Sequence, residues 1–104
     1  MKGIVWGLTI ADAIKKMEQI EKNYEMYRTA NVLTRRKSNY VYELVYDNGD
    51  YWIACGAKES ARGRKCNISY IDVRIDPEII DCIIKPCTTA GPYQAFRYFY
   101  DFIE

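Results

Sequence analysis

The chain has 104 residues, of which 49% are hydrophobic and 28% charged, a balance typical of a folded domain rather than a disordered segment. Fifteen basic and fourteen acidic residues give a formal net charge of +1, which argues against a dedicated duplex-DNA binder. Histidine is absent, so the commonest general base and zinc ligand are missing. We therefore expect a single domain over residues 1–104, with ten tyrosines as its main source of flat, amphipathic contact area.

The first third of the chain predicts a strand followed by a long helix. Residues 3–6 form a short apolar run. Thr9 and Asp12 then have the spacing of a helix N-cap with an acid in the first turn. An apolar stripe at helical spacing follows, at Ile10, Ala13, Ile14, Met17, Ile20, Tyr24 and Tyr27. This pattern predicts an amphipathic helix that docks on an apolar surface.

The middle of the chain has the character of β-structure. Strands are predicted at 32–36, 39–46, 51–55 and 65–75. In the second of these, one face holds Tyr40, Tyr42, Leu44 and Tyr46, and the other holds Val41, Glu43 and Val45. Asn48-Gly49 lies between two of these strands. Because Asn-Gly readily adopts two positive φ values, it predicts a hairpin with a type I′ turn.

The last third predicts one helix and an aromatic tail. Asp76-Pro77 has the residue types of a helix start, and the apolar stripe after it ends at Pro86. Residues 93–104 fit a helix or a strand, and the spacing of their aromatic residues slightly favours a helix. The element order predicts an α+β fold: an antiparallel, tyrosine-rich sheet with the N-terminal helix and one or two C-terminal helices packed on one face.

The loop that runs from Ser60 into residue 67 is the most suggestive candidate site. Arg62 and Arg64 have guanidinium groups that suit phosphate, and Gly63 lets a backbone approach an anion closely. Asn67 has an amide for a base edge or a ribose, and Tyr70 has a ring for stacking. The alternative is a solvated loop whose charges only maintain solubility.

Basic residues are concentrated in the same half of the chain. Residues 28–65 hold eight basic and four acidic residues, and Arg36 belongs to the run 35–37. This positive zone beside tyrosines suits a nucleotide or a single-stranded nucleic acid, whereas the alternative is an edge strand protected by charge. Arg97 lies in the aromatic tail, which predicts a stacking platform or a homo-oligomer interface, or alternatively rings buried on the sheet.

No catalytic or metal-binding signature is present. Phosphate-loop, dinucleotide and nucleophile-elbow motifs are missing, and the four cysteines form no CxxC pair. We expect no catalytic residue, no metal and no cofactor. The N-terminus lacks the apolar run of a signal peptide, and no stretch reaches membrane-spanning length, so we expect a cytoplasmic protein with reduced cysteines.

The chain resembles the phage anti-Thoeris sponges, which sequester cyclic ADP-ribose signals. The resemblance lies in its size, its element order and its combination of Arg, Asn and aromatic residues. It implies an oligomeric, non-catalytic cage with arginines at the phosphates and an aromatic ring on adenine. The candidate site residues named above follow from the chemistry of their side chains and not from the resemblance. The alternatives are a phage accessory or inhibitor protein that acts through protein–protein contacts, and a small nucleic-acid-binding module.

Overall fold

Six strands form one sheet in the computed structural model, which describes residues 1–58, 64–88 and 95–99. They are β1 (Lys2–Gly7), β2 (Val32–Lys37), β3 (Tyr42–Tyr46), β4 (Tyr51–Gly56), β5 (Ile68–Asp72) and β6 (Ala95–Phe99). Helix α1 (Ile10–Met26) follows β1. After β5 come α2 (Pro77–Ile79), a π-helical turn (Ile80–Ile84) and α3 (Lys85–Cys87), which form one C-terminal helical segment. The expected α+β class is confirmed.

The sheet is mixed, so the expectation of an antiparallel sheet is wrong in part. The strand order is β2-β3-β4-β1-β5-β6, and three of the five pairings are parallel: β1 with β4, β1 with β5, and β5 with β6. Five of these six strands run in the same direction, and β3 runs in the opposite direction, antiparallel to β2 and β4. The physical reason is that β5 and β6 are joined through the helical segment, and a helical crossover brings the chain back to the same end of the sheet.

Helices cover both faces of the sheet, which corrects the expectation of one covered face. Val5 and Trp52 pack with Met17 of α1 on one face. On the other face, Trp6 and Ile71 pack with Ile84 of the helical segment. Because β1 is central, its successive side chains are buried alternately under each layer. None of the helices formed by the described residues is long and apolar enough to cross a membrane.

Several local predictions are confirmed. The Thr9 hydroxyl accepts a hydrogen bond from the Asp12 N–H at 3.3 Å and caps α1. Asp76 likewise caps α2 by accepting from the Glu78 N–H at 2.8 Å. The hairpin between β3 and β4 is present, but its turn is not type I′. Among the turn residues 47–49, only Gly49 has a positive φ (92°), as in a three-residue loop that closes with a glycine in the left-handed region.

Other boundaries differ from the sequence-based prediction. Residues 95–99 form a strand, so the helix favoured there is wrong: pairing with β5 outweighs the helical spacing of the aromatic residues. The strand predicted at 65–75 is shorter, ending at Asp72. Pro86 lies inside α3, directly after the π-helical turn and one residue before the helical segment ends at Cys87, so it does not stop the segment as predicted. Residues 59–63, 89–94 and 100–104, which include part of the predicted site loop and aromatic tail, lie outside the described residues.

Candidate functional site

A row of polar side chains crosses the sheet on the face opposite α1. We call it the polar stripe; its members are Lys2, Arg36, Glu43, Tyr51, Arg64 and Asn67. The register of the strands assembles it: Arg36 pairs with Glu43, and Lys2 pairs with Tyr51. Because side chains alternate along a strand, Tyr42, Leu44 and Trp52 face α1 while Glu43 and Tyr51 face the other way.

Glu43 and Tyr51 lie at the centre of the polar stripe. The Tyr51 hydroxyl donates a hydrogen bond to the Glu43 carboxylate. The same carboxylate forms an ion pair with Arg36, in which Arg36 Nη2 lies 3.3 Å from Glu43 Oε1. On the other side, Lys2 places its ammonium nitrogen 5.4 Å from the centroid of the Tyr51 ring. One carboxylate therefore holds a guanidinium group and a phenol in place beside a second cation.

The electrostatics of Tyr51 indicate which charges meet there. The pKa of its hydroxyl is raised to about 12, chiefly by burial and then by the hydrogen bond to Glu43 and the charge of Glu43. The positive charges of Arg64 and Arg36 act in the opposite direction. Both guanidinium groups therefore lie within electrostatic reach of one tyrosine, although the residues are far apart in the chain. Lys2 adds a third positive charge near the same tyrosine.

Asn67 has a structural role at this edge of the stripe. Its side-chain oxygen accepts a hydrogen bond from the Lys2 N–H at 3.0 Å, and its own N–H donates to the Lys2 carbonyl at 2.8 Å. These two bonds fix the start of β5 against β1. Asn67 thus positions Lys2, which in turn flanks Tyr51.

The other predicted site residues lie elsewhere or outside the described residues. Tyr70 faces α1, where its ring meets Trp52 edge-on at 5.5 Å and Lys16 at 5.8 Å. Arg97 pairs in register with Tyr70, and its Nη1 donates to the Phe96 carbonyl at 3.3 Å. The structure therefore brings Tyr70 and Arg97 together, but on the opposite face from the polar stripe. Arg62 lies outside the described residues.

Sequence reasoning missed Lys2, Glu43 and Tyr51. The alternation of residues 42–46 does place Glu43 opposite the buried face, and this was the available signal. Lys2 and Tyr51 each begin a strand. Lys2 and Tyr51 become neighbours only through the parallel pairing of β1 and β4, which no local sequence pattern predicts.

The cysteines do not contribute a reactive site to the stripe. All four lie within the described residues and are thiols; Cys55, Cys66 and Cys87 are buried. Burial raises the pKa of the Cys55 and Cys66 thiols, which keeps them protonated. Across residues 1–58, 64–88 and 95–99, no three His, Cys, Asp or Glu side chains are grouped so that they could hold a metal ion.

No protein-family model, no curated protein and no solved structure matches the chain.

Proposed function

We propose that the protein is a non-enzymatic, phage-type protein that binds and sequesters a nucleotide-like signalling molecule on the polar stripe. The observation that carries this proposal is the convergence of Arg36 and Arg64 on Tyr51. Guanidinium groups form charge-assisted hydrogen bonds with phosphate, and a tyrosine ring offers a stacking surface for a base. Glu43 supports the arrangement, because it holds Arg36 and the Tyr51 hydroxyl in fixed positions before a ligand arrives.

Sequestration without chemistry agrees with the acid–base character of the stripe. The Tyr51 hydroxyl has a pKa raised to about 12, first by burial and then by Glu43, so it stays protonated near neutrality. A protonated phenol donates hydrogen bonds but is a poor nucleophile. We extend the proposal to a homo-oligomer in the cytoplasm of the host cell, in which neighbouring subunits close the ligand in.

Isothermal titration calorimetry tests this proposal. The parent protein is titrated with cyclic ADP-ribose, ADP-ribose and AMP, and then Arg36→Ala and Arg64→Ala are titrated with the ligand that binds most tightly. A charge-assisted contact contributes about 1.5–3 kcal/mol, so each substitution should weaken binding by roughly tenfold to a hundredfold.

Lys15→Ala is the matched control, because it removes one positive charge from an exposed position on α1, on the opposite side of the sheet. It should bind as the parent does. If none of the three nucleotides binds, or if Arg36→Ala and Arg64→Ala bind as tightly as the parent, the polar stripe is not a nucleotide site.

A protein-contact function is the second candidate, and strand β2 is the observation that favours it. This strand forms one edge of the sheet and every residue in it is exposed. Leu33 keeps 67% of its surface exposed, and Tyr40 in the following loop keeps 78%. An extended segment of another protein could add to this edge as a further strand. Loss of partner binding in Leu33→Glu, with nucleotide binding absent in the parent, would favour this candidate.

A further inference from the structure

A pocket of about 600 Å³ lies where α1 ends and the chain turns towards β2. Its charged and aromatic walls come from α1, the connection after it and the end of β3: Glu21, Tyr24, Glu25, Arg28, Tyr46 and Asp47. Three of these six residues are acidic and one is basic. The pocket therefore has a negative balance, in contrast to the polar stripe on the other face of the sheet.

Tyr46 is the unusual wall of this pocket. It is 1% exposed and stacks on Tyr24, with ring centroids 4.0 Å apart and ring planes 15° apart. The Tyr24 hydroxyl donates to Asp50 at 2.6 Å, whereas the buried Tyr46 hydroxyl has no hydrogen-bond partner among the described residues. A buried polar group without a partner is rare in a folded protein and needs an explanation.

The charges around that hydroxyl are mostly, but not only, negative. The pKa of Tyr46 is raised to about 12, chiefly by burial; the negative charges of Glu21, Asp50 and Glu25 contribute to the rise, and the positive charge of Arg35 opposes it. The hydroxyl is therefore neutral at pH 7, and it can accept one hydrogen bond while it donates another. The pocket also lies beside the C-terminal end of a 17-residue helix with no basic residue in its last turn, and the partial negative charge there favours cations.

We propose that this pocket binds a small organic cation with N–H donors, of the alkylammonium or guanidinium class. The carboxylates of Glu25 and Asp47 supply most of the charge, because Glu21 is already paired with Arg35 at 3.3 Å, and the Tyr46 hydroxyl accepts an N–H that is otherwise missing. A bare metal ion fits less well, because these carboxylates are not grouped as metal ligands. The stacked rings of Tyr24 and Tyr46 provide an apolar surface for the carbon chain of the ligand.

The proposal is independent of the nucleotide function, since the two sites lie on opposite faces of the sheet and prefer opposite charges. Calorimetry at low salt with putrescine, agmatine and tetramethylammonium tests it. Putrescine and agmatine should bind, and tetramethylammonium, which has no N–H, should bind at least about tenfold more weakly. Failure of both N–H cations to bind at millimolar concentration, or equal binding of tetramethylammonium, would overturn the proposal.

Two variants locate the binding. Tyr46→Phe removes only the unpartnered hydroxyl, so it should weaken putrescine binding about tenfold without lowering the melting temperature of the free protein. Glu25→Gln removes one charge from the pocket and should weaken binding to a similar degree. Glu78→Gln makes the same charge change on α2, on the other side of the sheet, and should bind as the parent does. Parent-like binding by both Tyr46→Phe and Glu25→Gln, or an equal loss in Glu78→Gln, would show that the cations bind elsewhere or only by general charge attraction.

Discussion

Replacing Asp72 with Asn should destabilise the protein far more than its small change in shape suggests. Asp72 ends β5 with a fully buried side chain. Its two carboxylate oxygens accept four hydrogen bonds: from the Leu8 N–H at 3.2 Å, the Arg74 N–H at 2.9 Å, and Arg74 Nε and Nη2 at 3.2 and 2.9 Å. Each of the two oxygens accepts two of these bonds. An asparagine has one oxygen and one NH₂ group, so the two N–H donors at one of the oxygens would instead face the NH₂ group, which is also a donor.

The expected loss follows from the burial of the two partners. Breaking a buried ion pair costs about 3–5 kcal/mol, but Arg74 is 40% exposed and also pairs with Asp12, so water and Asp12 compensate part of the loss. We expect Asp72→Asn to lower the free energy of unfolding by about 2–3 kcal/mol. For a domain of this size, that corresponds to a fall in melting temperature of roughly 10–20 °C.

Urea denaturation at several pH values measures this effect and its sign. Burial alone would raise the pKa of Asp72, but the hydrogen bonds from Arg74 and from the Leu8 N–H outweigh it, and the net pKa is lowered. The contribution of the carboxylate is therefore complete above its unfolded pKa of about 3.9 and is lost as the pH falls through its lower folded value. The gap between the parent and Asp72→Asn should be constant near neutrality and should narrow below about pH 4.

Asp81→Asn is the matched control. Its carboxylate is 65% exposed and pairs with Lys85 one helical turn away, so the same substitution there should cost less than about 0.5 kcal/mol. A loss below about 0.5 kcal/mol in Asp72→Asn would show that the four hydrogen bonds to the Asp72 carboxylate do not stabilise the fold. A gap that stays constant down to pH 2 would refute the lowered pKa.

Two further predictions concern packing and assembly. Gly7→Ala should lower the free energy of unfolding, measured in urea, by about 1–3 kcal/mol, because the new Cβ would lie 2.4 Å from the Ala13 nitrogen and 2.5 Å from the Thr9 oxygen. Gly56→Ala is the control and should lower it less, because its Cβ would meet nothing closer than 3.4 Å. Equal losses in the two variants would contradict this prediction. Light scattering should give at least two times the chain mass of 12.2 kDa, whereas a monomer mass throughout the micromolar range would contradict the proposed homo-oligomer.

Local features of the fold were predictable because their causes are local. The Thr9 cap, the Asp76-Pro77 helix start and the alternation at residues 42–46 depend on neighbours within a few positions, and all three are present. Strand direction was not predictable in this way. The parallel pairing of β1 depends on residues that are distant in the chain, and the strand at 95–99 forms because β5 offers it an edge.

The candidate site was predictable in its residue types but only partly in its members. Arg36 and Arg64 have the chemistry of an anion site, and both lie within electrostatic reach of Tyr51. Tyr70 follows Asn67 by three positions, so strand alternation sends the two side chains to opposite faces. Choosing Tyr51 instead of Tyr70 would have required the strand order, since β4 carries Tyr51 between Glu43 and Lys2.

The central claim, retention of a nucleotide without chemical change, is tested most directly by releasing the ligand and identifying it. The protein is incubated with cyclic ADP-ribose and washed on an ultrafiltration membrane, which retains the protein and removes unbound nucleotide. The retained protein is then heat-denatured, and the nucleotide that it releases is quantified by chromatography. We predict that unchanged cyclic ADP-ribose is retained in proportion to the protein and that Arg64→Ala retains much less. Recovery of a hydrolysed or otherwise altered nucleotide, or no retention by the parent protein, would contradict the proposal.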